Sequence, residues 1–215
     1  LMAQLNEKYG PVDFSDPNKH LPLDWRHPDT HAIYWAVRGW QFVDSGKEEY
    51  SLDEANTDRV INHSLQNLFR YGKIFIYAPP AEAPGDVNEQ QPVAAEQQIY
   101  LRPDLRMFES YNKSTLEIMD KYKNVRDLTY ESMMVGYRNM LANAILAFYQ
   151  AGHTSQAQKI YDKLRQVHPV EEMKQPLAMF VRTRLRDELQ RMNITDVQEM
   201  VQMLLRESYF RYAMR

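Results

Sequence analysis

Residues 136–169, GYRNMLANAILAFYQAGHTSQAQKIYDKLRQVHP, contain two helical patterns joined by a glycine, and this stretch decides the fold. Apolar residues recur at helical spacing along one face of each pattern. These residues are Leu141, Ile145 and Phe148 before the glycine and Ala157, Tyr161 and Leu164 after it. Gly152 suits the left-handed backbone that often ends a helix, and Pro169 closes the second pattern. The stretch therefore predicts an antiparallel helical hairpin, with the small Ala157 where the two helices approach.

The spacing of these residues resembles a single tetratricopeptide repeat, a helix–turn–helix unit of about 34 residues. The resemblance implies stacked helix pairs and a concave surface for a protein segment. The chain has no second clear copy, and the aromatic residue usual near the start of the first helix is Tyr137 or absent. We expect helices in 104–122 and 176–213 to stack as divergent pairs, which makes 104–213 a tetratricopeptide-like half.

Periodicity and end signals predict seven helices along the whole chain. Their ranges are 29–46, 51–72, 104–122, 129–151, 154–168, 176–192 and 195–213. Asp29 or Thr30 is expected to cap the first of them. Two short runs rich in β-branched and aromatic residues, 73–77 and 98–102, predict an antiparallel strand pair. The fold class is therefore mainly α: about seven helices packed as antiparallel pairs with one small two-stranded β-hairpin, in a single domain, 1–215.

Two proline-rich segments interrupt the helical periodicity. Residues 10–29 contain four prolines and predict an ordered, extended lead-in to the first predicted helix. Residues 78–97 also contain four prolines and few large apolar side chains, so they predict a flexible surface insertion between the two strands.

Composition excludes several classes of function. The chain of 215 residues has no cysteine, which excludes disulfides and thiolate metal sites. A net charge of −3 gives no reason to expect a nucleic-acid partner. No apolar run approaches the ~18 residues of a membrane-spanning helix. No glycine-rich phosphate loop or dinucleotide pattern occurs, so we expect no cofactor.

Charge and the first residue supply two further expectations. Residues 1–100 contain 8 basic and 15 acidic side chains, whereas 101–215 contain 18 basic and 14 acidic ones. Either the two halves attract each other, or the second half presents a basic binding face. The start at Leu1 and the lack of cysteine favour an exported or periplasmic protein whose targeting segment has been removed.

Two histidines near the first helix raise the question of a metal site. His27 and His31 are four residues apart, a spacing that places two ligands on one helix face. Pro28 interrupts any helix that would contain both. We therefore interpret them as residues of a helix start with Trp25 packed beneath them, and we predict no metal site.

Four arginines lie in the helix predicted at 176–192, namely Arg182, Arg184, Arg186 and Arg191. Arg182 and Arg186 share a face, and guanidinium groups this dense can bind carboxylates bidentately. The alternative is that they pair with Asp187 and Glu188 of the same helix and with the acidic first half of the chain.

These observations predict a non-enzymatic protein-interaction or scaffold domain that binds a protein segment, or a second copy of itself. The predicted groove is formed by the helices 129–151, 154–168 and 176–192. The binding residues, expected to be exposed there, are Tyr137, Asn139, Asn143, Arg182 and Arg186. The alternative is a helical enzyme or small-ligand-binding protein with a pocket near Asp24–His31.

Overall fold

The computed structural model describes residues 1–40, 52–77, 98–124, 129–191 and 193–213. Within these ranges the chain forms eight α-helices and two small antiparallel sheets, so the predicted mainly α class is confirmed. The helices are α1 (Met2–Tyr9), α2 (Pro28–Gly39), α3 (Leu52–Tyr71), α4 (Phe108–Tyr122), α5 (Thr129–Gln150), α6 (Thr154–Val167), α7 (Leu177–Arg191) and α8 (Ile194–Ala213). The strands are β1 (Val12–Asp13), β2 (Asp16–His20), β3 (Lys73–Tyr77) and β4 (Gln98–Arg102).

The two predicted strands pair as expected. β3 and β4 form an antiparallel ladder from Lys73 opposite Arg102 to Tyr77 opposite Gln98. The short helix α1 and the β1–β2 pair inside the extended lead-in were not predicted from the sequence. The predicted insertion at 78–97 and the predicted continuation of the first helix to Gly46 lie outside the described residues.

The chain divides into two compact units, Leu1–Tyr137 and Arg138–Arg215. In the first unit α3 packs against α2 and α4. Ile33 of α2 and Leu65 of α3 are completely buried, as the helical spacing of apolar residues requires. The single domain expected from the sequence stays a prediction.

The second unit contains the helical hairpin of 136–169 from Arg138 onward. Gly152 has φ of 80°, the left-handed backbone that glycine adopts without steric cost. The His153 N–H donates to the Phe148 carbonyl and the Gly152 N–H to the Tyr149 carbonyl, each at 2.9 Å, which is the hydrogen-bond pattern of a Schellman helix end. Ala157 and Tyr161 are completely buried. The two helices and their turn are therefore confirmed, while the likeness to a tetratricopeptide repeat stays a resemblance.

A hydrogen-bonded loop fixes α7 on α6. The Tyr161 hydroxyl lies 2.9 Å from the Gln175 carbonyl oxygen, and Arg165 Nε donates to the Met173 carbonyl at 2.6 Å. The Tyr161 ring also packs on Phe180, with ring centroids 4.9 Å apart. The entry into α7 is thus held by side chains of α6.

The last helix, α8, exposes a row of large side chains. These are Val201, Leu204, Leu205, Tyr209 and Tyr212. None of the described helices combines the length and the apolar character needed to cross a bilayer.

Candidate functional site

The candidate site is the outward face of α7, and its orientation follows from the residues that the helix buries. Phe180 and Val181 are buried, with 6% and 3% of their surface exposed. Since successive residues of an α-helix are about 100° apart, the residues opposite this pair must face solvent. The helix is therefore a rigid platform for its outward side chains.

Four side chains share that outward face, and we call Met179, Arg182, Arg186 and Leu189 the α7 stripe. Their spacing of three, four and three residues places them in one row along the helix. All four are exposed, and the two apolar ends of the row, Met179 and Leu189, are 47% and 42% exposed. The stripe thus has an apolar side chain at each end and two guanidinium groups between them.

The two guanidinium groups of the stripe have no counter-ion among the residues that the structure describes. Within the described part of the chain, neither Arg182 nor Arg186 forms an ion pair or a side-chain hydrogen bond. Arg184, which lies off the stripe, has its Nε 3.6 Å from an Oε1 atom of Glu188. Pairing within the helix, the alternative drawn from the sequence, therefore describes Arg184 but not the two stripe arginines.

The other predicted binding residues, Tyr137, Asn139 and Asn143, differ in how far their side chains are exposed. Asn139 is exposed and Asn143 is half-buried, one turn apart on α5. The prediction that Tyr137 is exposed is wrong: its side chain is 1% exposed, and its hydroxyl donates to Oδ1 of Asn112 at 3.1 Å. Tyr137 also lies in the first unit, whereas the other four residues lie in the second. The binding roles of Asn139 and Asn143 stay predictions.

The histidines near the first predicted helix have structural partners. His27 caps α2, because its Nδ1 atom accepts the Asp29 N–H at 3.2 Å; the predicted caps, Asp29 and Thr30, are wrong. His31 Nε2 lies 2.8 Å from the Trp25 carbonyl oxygen, and the two rings meet edge to face. No group of three metal-ligating side chains occurs among the residues that the structure describes.

One cavity of the first unit, about 430 Å³, is lined by charges that already have partners. Lys8 pairs with Glu117 at 3.4 Å. Lys121 contacts Glu54 at 2.6 Å and Asp58 at 2.8 Å, and its ammonium group lies 4.2 Å from the ring centroid of Trp40. These contacts join helices of the first unit, so the cavity offers a ligand few free charges.

Sequence reasoning found the arginines of the stripe but missed its apolar ends. The signal was present, because Met179 precedes Arg182 by three residues and Leu189 follows Arg186 by three. Periodicity alone does not say that these two apolar residues are exposed. Compared with known proteins, the chain matches no family model, no curated protein and no solved structure.

Proposed function

We propose that this protein is a non-enzymatic interaction module whose α7 stripe binds an acidic, amphipathic helix of a partner protein. The observation that supports this function is the row of two exposed guanidinium groups, without an ion-pair partner in the described ranges, between two exposed apolar side chains. An amphipathic helix can cover the apolar side chains while its carboxylates accept hydrogen bonds from both arginines. The rigid seat of α7 on α6 lowers the entropic cost of binding.

The spacing of the stripe specifies the pattern of the partner. With a rise of 1.5 Å per residue, the four side chains lie at about 0, 4.5, 10.5 and 15 Å along the helix axis. A partner helix with Leu at positions 0 and 10 and Glu at positions 3 and 7 has the same spacing. Because this pattern is symmetric, the partner helix can lie parallel or antiparallel to α7.

Charge selects an acidic partner over a second copy on this face. Two stripes facing each other would bring Arg182 and Arg186 against like charges, which disfavours association. The exposed row on α8 contains no charged side chain, so like-charge repulsion does not oppose its contact with a second copy. Self-association, which the sequence also left open, stays a prediction that is separate from the α7 stripe.

The test is binding of a fluorescein-labelled, 18-residue helical peptide that carries the Leu, Glu, Glu, Leu pattern, measured by fluorescence anisotropy. Reversing both charges, in Arg182→Glu/Arg186→Glu, removes two exposed ion pairs of about 0.2–1 kcal/mol each and adds comparable repulsion. A total of about 0.8–4 kcal/mol corresponds to roughly a 4- to 900-fold higher dissociation constant. A peptide with Gln in place of both Glu should bind about 2- to 30-fold more weakly, because it loses the two ion pairs without adding repulsion.

The matched control reverses two exposed charges outside the stripe, in Lys163→Glu/Arg191→Glu. Arg191 lies on the opposite side of α7 from Arg182, and Lys163 lies on α6. Circular dichroism checks that both double variants fold. The proposal fails if the stripe variant binds as tightly as the wild type, if the control variant loses as much affinity, or if the Gln peptide binds equally well.

A further inference from the structure

The first unit has a second cavity, of about 200 Å³, whose lining residues differ from those of the cavity described above. It lies where the end of α3 meets the start of β3 and the turns before α2 and α4. Its charged lining residues are Asp24, Arg26, Lys73, Asp104 and Arg106. Apolar side chains, among them Leu23, Leu68, Phe75 and Met107, form much of the remaining wall.

Two Asp-x-Arg turns border this cavity with the same geometry. In each turn, the aspartate carboxylate accepts the backbone N–H of the arginine two residues later. The guanidinium also binds the carboxylate side-on, through Nε and Nη2. These two distances are 2.9 and 2.6 Å for Arg26 on Asp24, and 2.8 and 2.7 Å for Arg106 on Asp104. Hydrogen bonding from Arg26 lowers the pKa of Asp24. Each guanidinium keeps the N–H groups of its third nitrogen for another acceptor.

Lys73 is the third cation of this cavity, and it lacks a counter-ion among the described residues. It is half-buried and makes no ion pair there. Burial lowers its pKa, and Asp104 offsets that effect while Arg106 and Arg102 add to it. Since both cavity aspartates are already paired with arginines, the lining has one uncompensated positive charge.

Backbone contacts hold Lys73 in this position. A side chain at Gly72 would collide with the Leu68 carbonyl oxygen, so glycine lets α3 end directly before β3. The Asp104 N–H donates to the Phe69 carbonyl at 3.0 Å and ties the second turn to the end of α3. The cationic groups and the apolar wall are therefore preorganised by the fold.

We infer that this cavity binds a small organic carboxylate with a compact apolar body, about the size of benzoate. The carboxylate pairs with the Lys73 ammonium and the unused guanidinium N–H groups, and the apolar body lies against the Pro22 and Phe75 side chains, which line the cavity and keep accessible surface. The size is appropriate, because a protein cavity of about 150 Å³ can hold benzene. A monoanion balances the single excess charge, whereas a phosphate dianion leaves one excess negative charge and has no apolar part.

The test is titration of the ¹⁵N-labelled protein with sodium benzoate, benzamide and inorganic phosphate, followed by amide chemical shifts. We expect benzoate to cause saturable shifts at residues lining the cavity, with benzamide and phosphate at least tenfold weaker. Lys73→Gln should weaken benzoate binding at least tenfold, and Lys73→Arg should keep it within about threefold because a cation remains. Lys113→Gln, at an exposed lysine of α4, should change nothing.

The inference is independent of the α7 stripe, because the cavity lies entirely in the first unit. It is overturned if benzoate causes no saturable shift at the cavity, or if benzamide or phosphate binds the wild type as tightly as benzoate. Equal benzoate affinity in Lys73→Gln and wild type also overturns it. The ligand comparison uses the wild type alone, so it decides the question even if a Lys73 variant fails to fold.

Discussion

Tyr111 provides a prediction whose size follows directly from its burial. It lies on α4 with 5% of its surface exposed, and its ring centroid is 6.3 Å from that of Phe69. Burial raises the pKa of Tyr111 to about 12 from its ordinary value of 10.0. The phenolate is therefore much less stable in the folded state than in the unfolded state. Removing the hydroxyl in Tyr111→Phe removes this difference.

The sign and size of the effect follow from proton linkage. Below pH 10 the hydroxyl is protonated in both states and contributes no pH dependence. Between pH 10 and 12 the unfolded chain ionises while the folded one does not, so the wild type loses stability as the pH rises. At pH 11 the loss is about 1.4 kcal/mol, and above pH 12 it approaches roughly 2.7 kcal/mol, because one pKa unit is worth 1.36 kcal/mol.

The assay is urea unfolding at pH 8 and pH 11, followed by tryptophan fluorescence. The chain has 3 tryptophans, Trp25, Trp35 and Trp40, and all lie in the first unit together with Tyr111. Since there is no cysteine, alkaline thiol chemistry does not interfere. We expect Tyr111→Phe to gain about 1.4 kcal/mol on the wild type between pH 8 and pH 11. Other alkaline titrations are common to both proteins and cancel in this comparison.

Tyr130→Phe is the matched control, because this tyrosine is 45% exposed whereas Tyr111 is buried. Its stability relative to the wild type should be the same at both pH values. The reasoning is refuted if the stability difference between Tyr111→Phe and the wild type is also unchanged. A second check is the absorbance of phenolate, in which the wild type minus Tyr111→Phe difference should titrate near pH 12 rather than pH 10.

Two further substitutions test the packing of each unit. Gly152→Ala places a side chain on a residue with φ of 80° and should destabilise the second unit by about 1–2 kcal/mol. Far-UV circular dichroism during urea unfolding measures this loss. An unchanged unfolding midpoint would contradict the left-handed turn at Gly152. Lys121→Met removes the cation between Glu54 and Asp58. It should destabilise the first unit by about 2 kcal/mol. This loss is smaller than that for breaking a fully buried ion pair, because the lysine is partly exposed. Tryptophan fluorescence follows that unfolding, and a gain in stability would contradict the stabilising role of the Lys121 ammonium group.

Much of the local structure was predictable because its causes lie within a few residues. Apolar spacing and Gly152 predicted the hairpin of α5 and α6, and Asp104, a residue type that favours helix starts, caps the turn that begins α4. The exact helix starts were less predictable. His27 caps α2, although aspartate and threonine nearby are stronger cap formers. The buried Thr30 hydroxyl donates instead to the Asp24 carbonyl at 2.8 Å.

The wrong prediction that Tyr137 is exposed conflicts with the helical periodicity of α5. Tyr137 precedes Leu141 by four residues and therefore shares the buried face of α5 with it and with Ile145. The helical spacing already favoured burial. The partner of its hydroxyl, Asn112, was not predictable because it lies on α4, far away along the chain.

The sequence by itself determined the mainly α class, the positions of most helices and the concentration of arginine in α7, because periodicity, capping and composition are local properties. Only the tertiary structure decided that Arg182 and Arg186 find no partner in the described part of the chain, since this depends on every side chain that surrounds them. It alone also brought Lys73 beside two Asp-x-Arg turns that are distant in sequence. Packing of α3 against its neighbours sets those distances, and no spacing within a single element contains them.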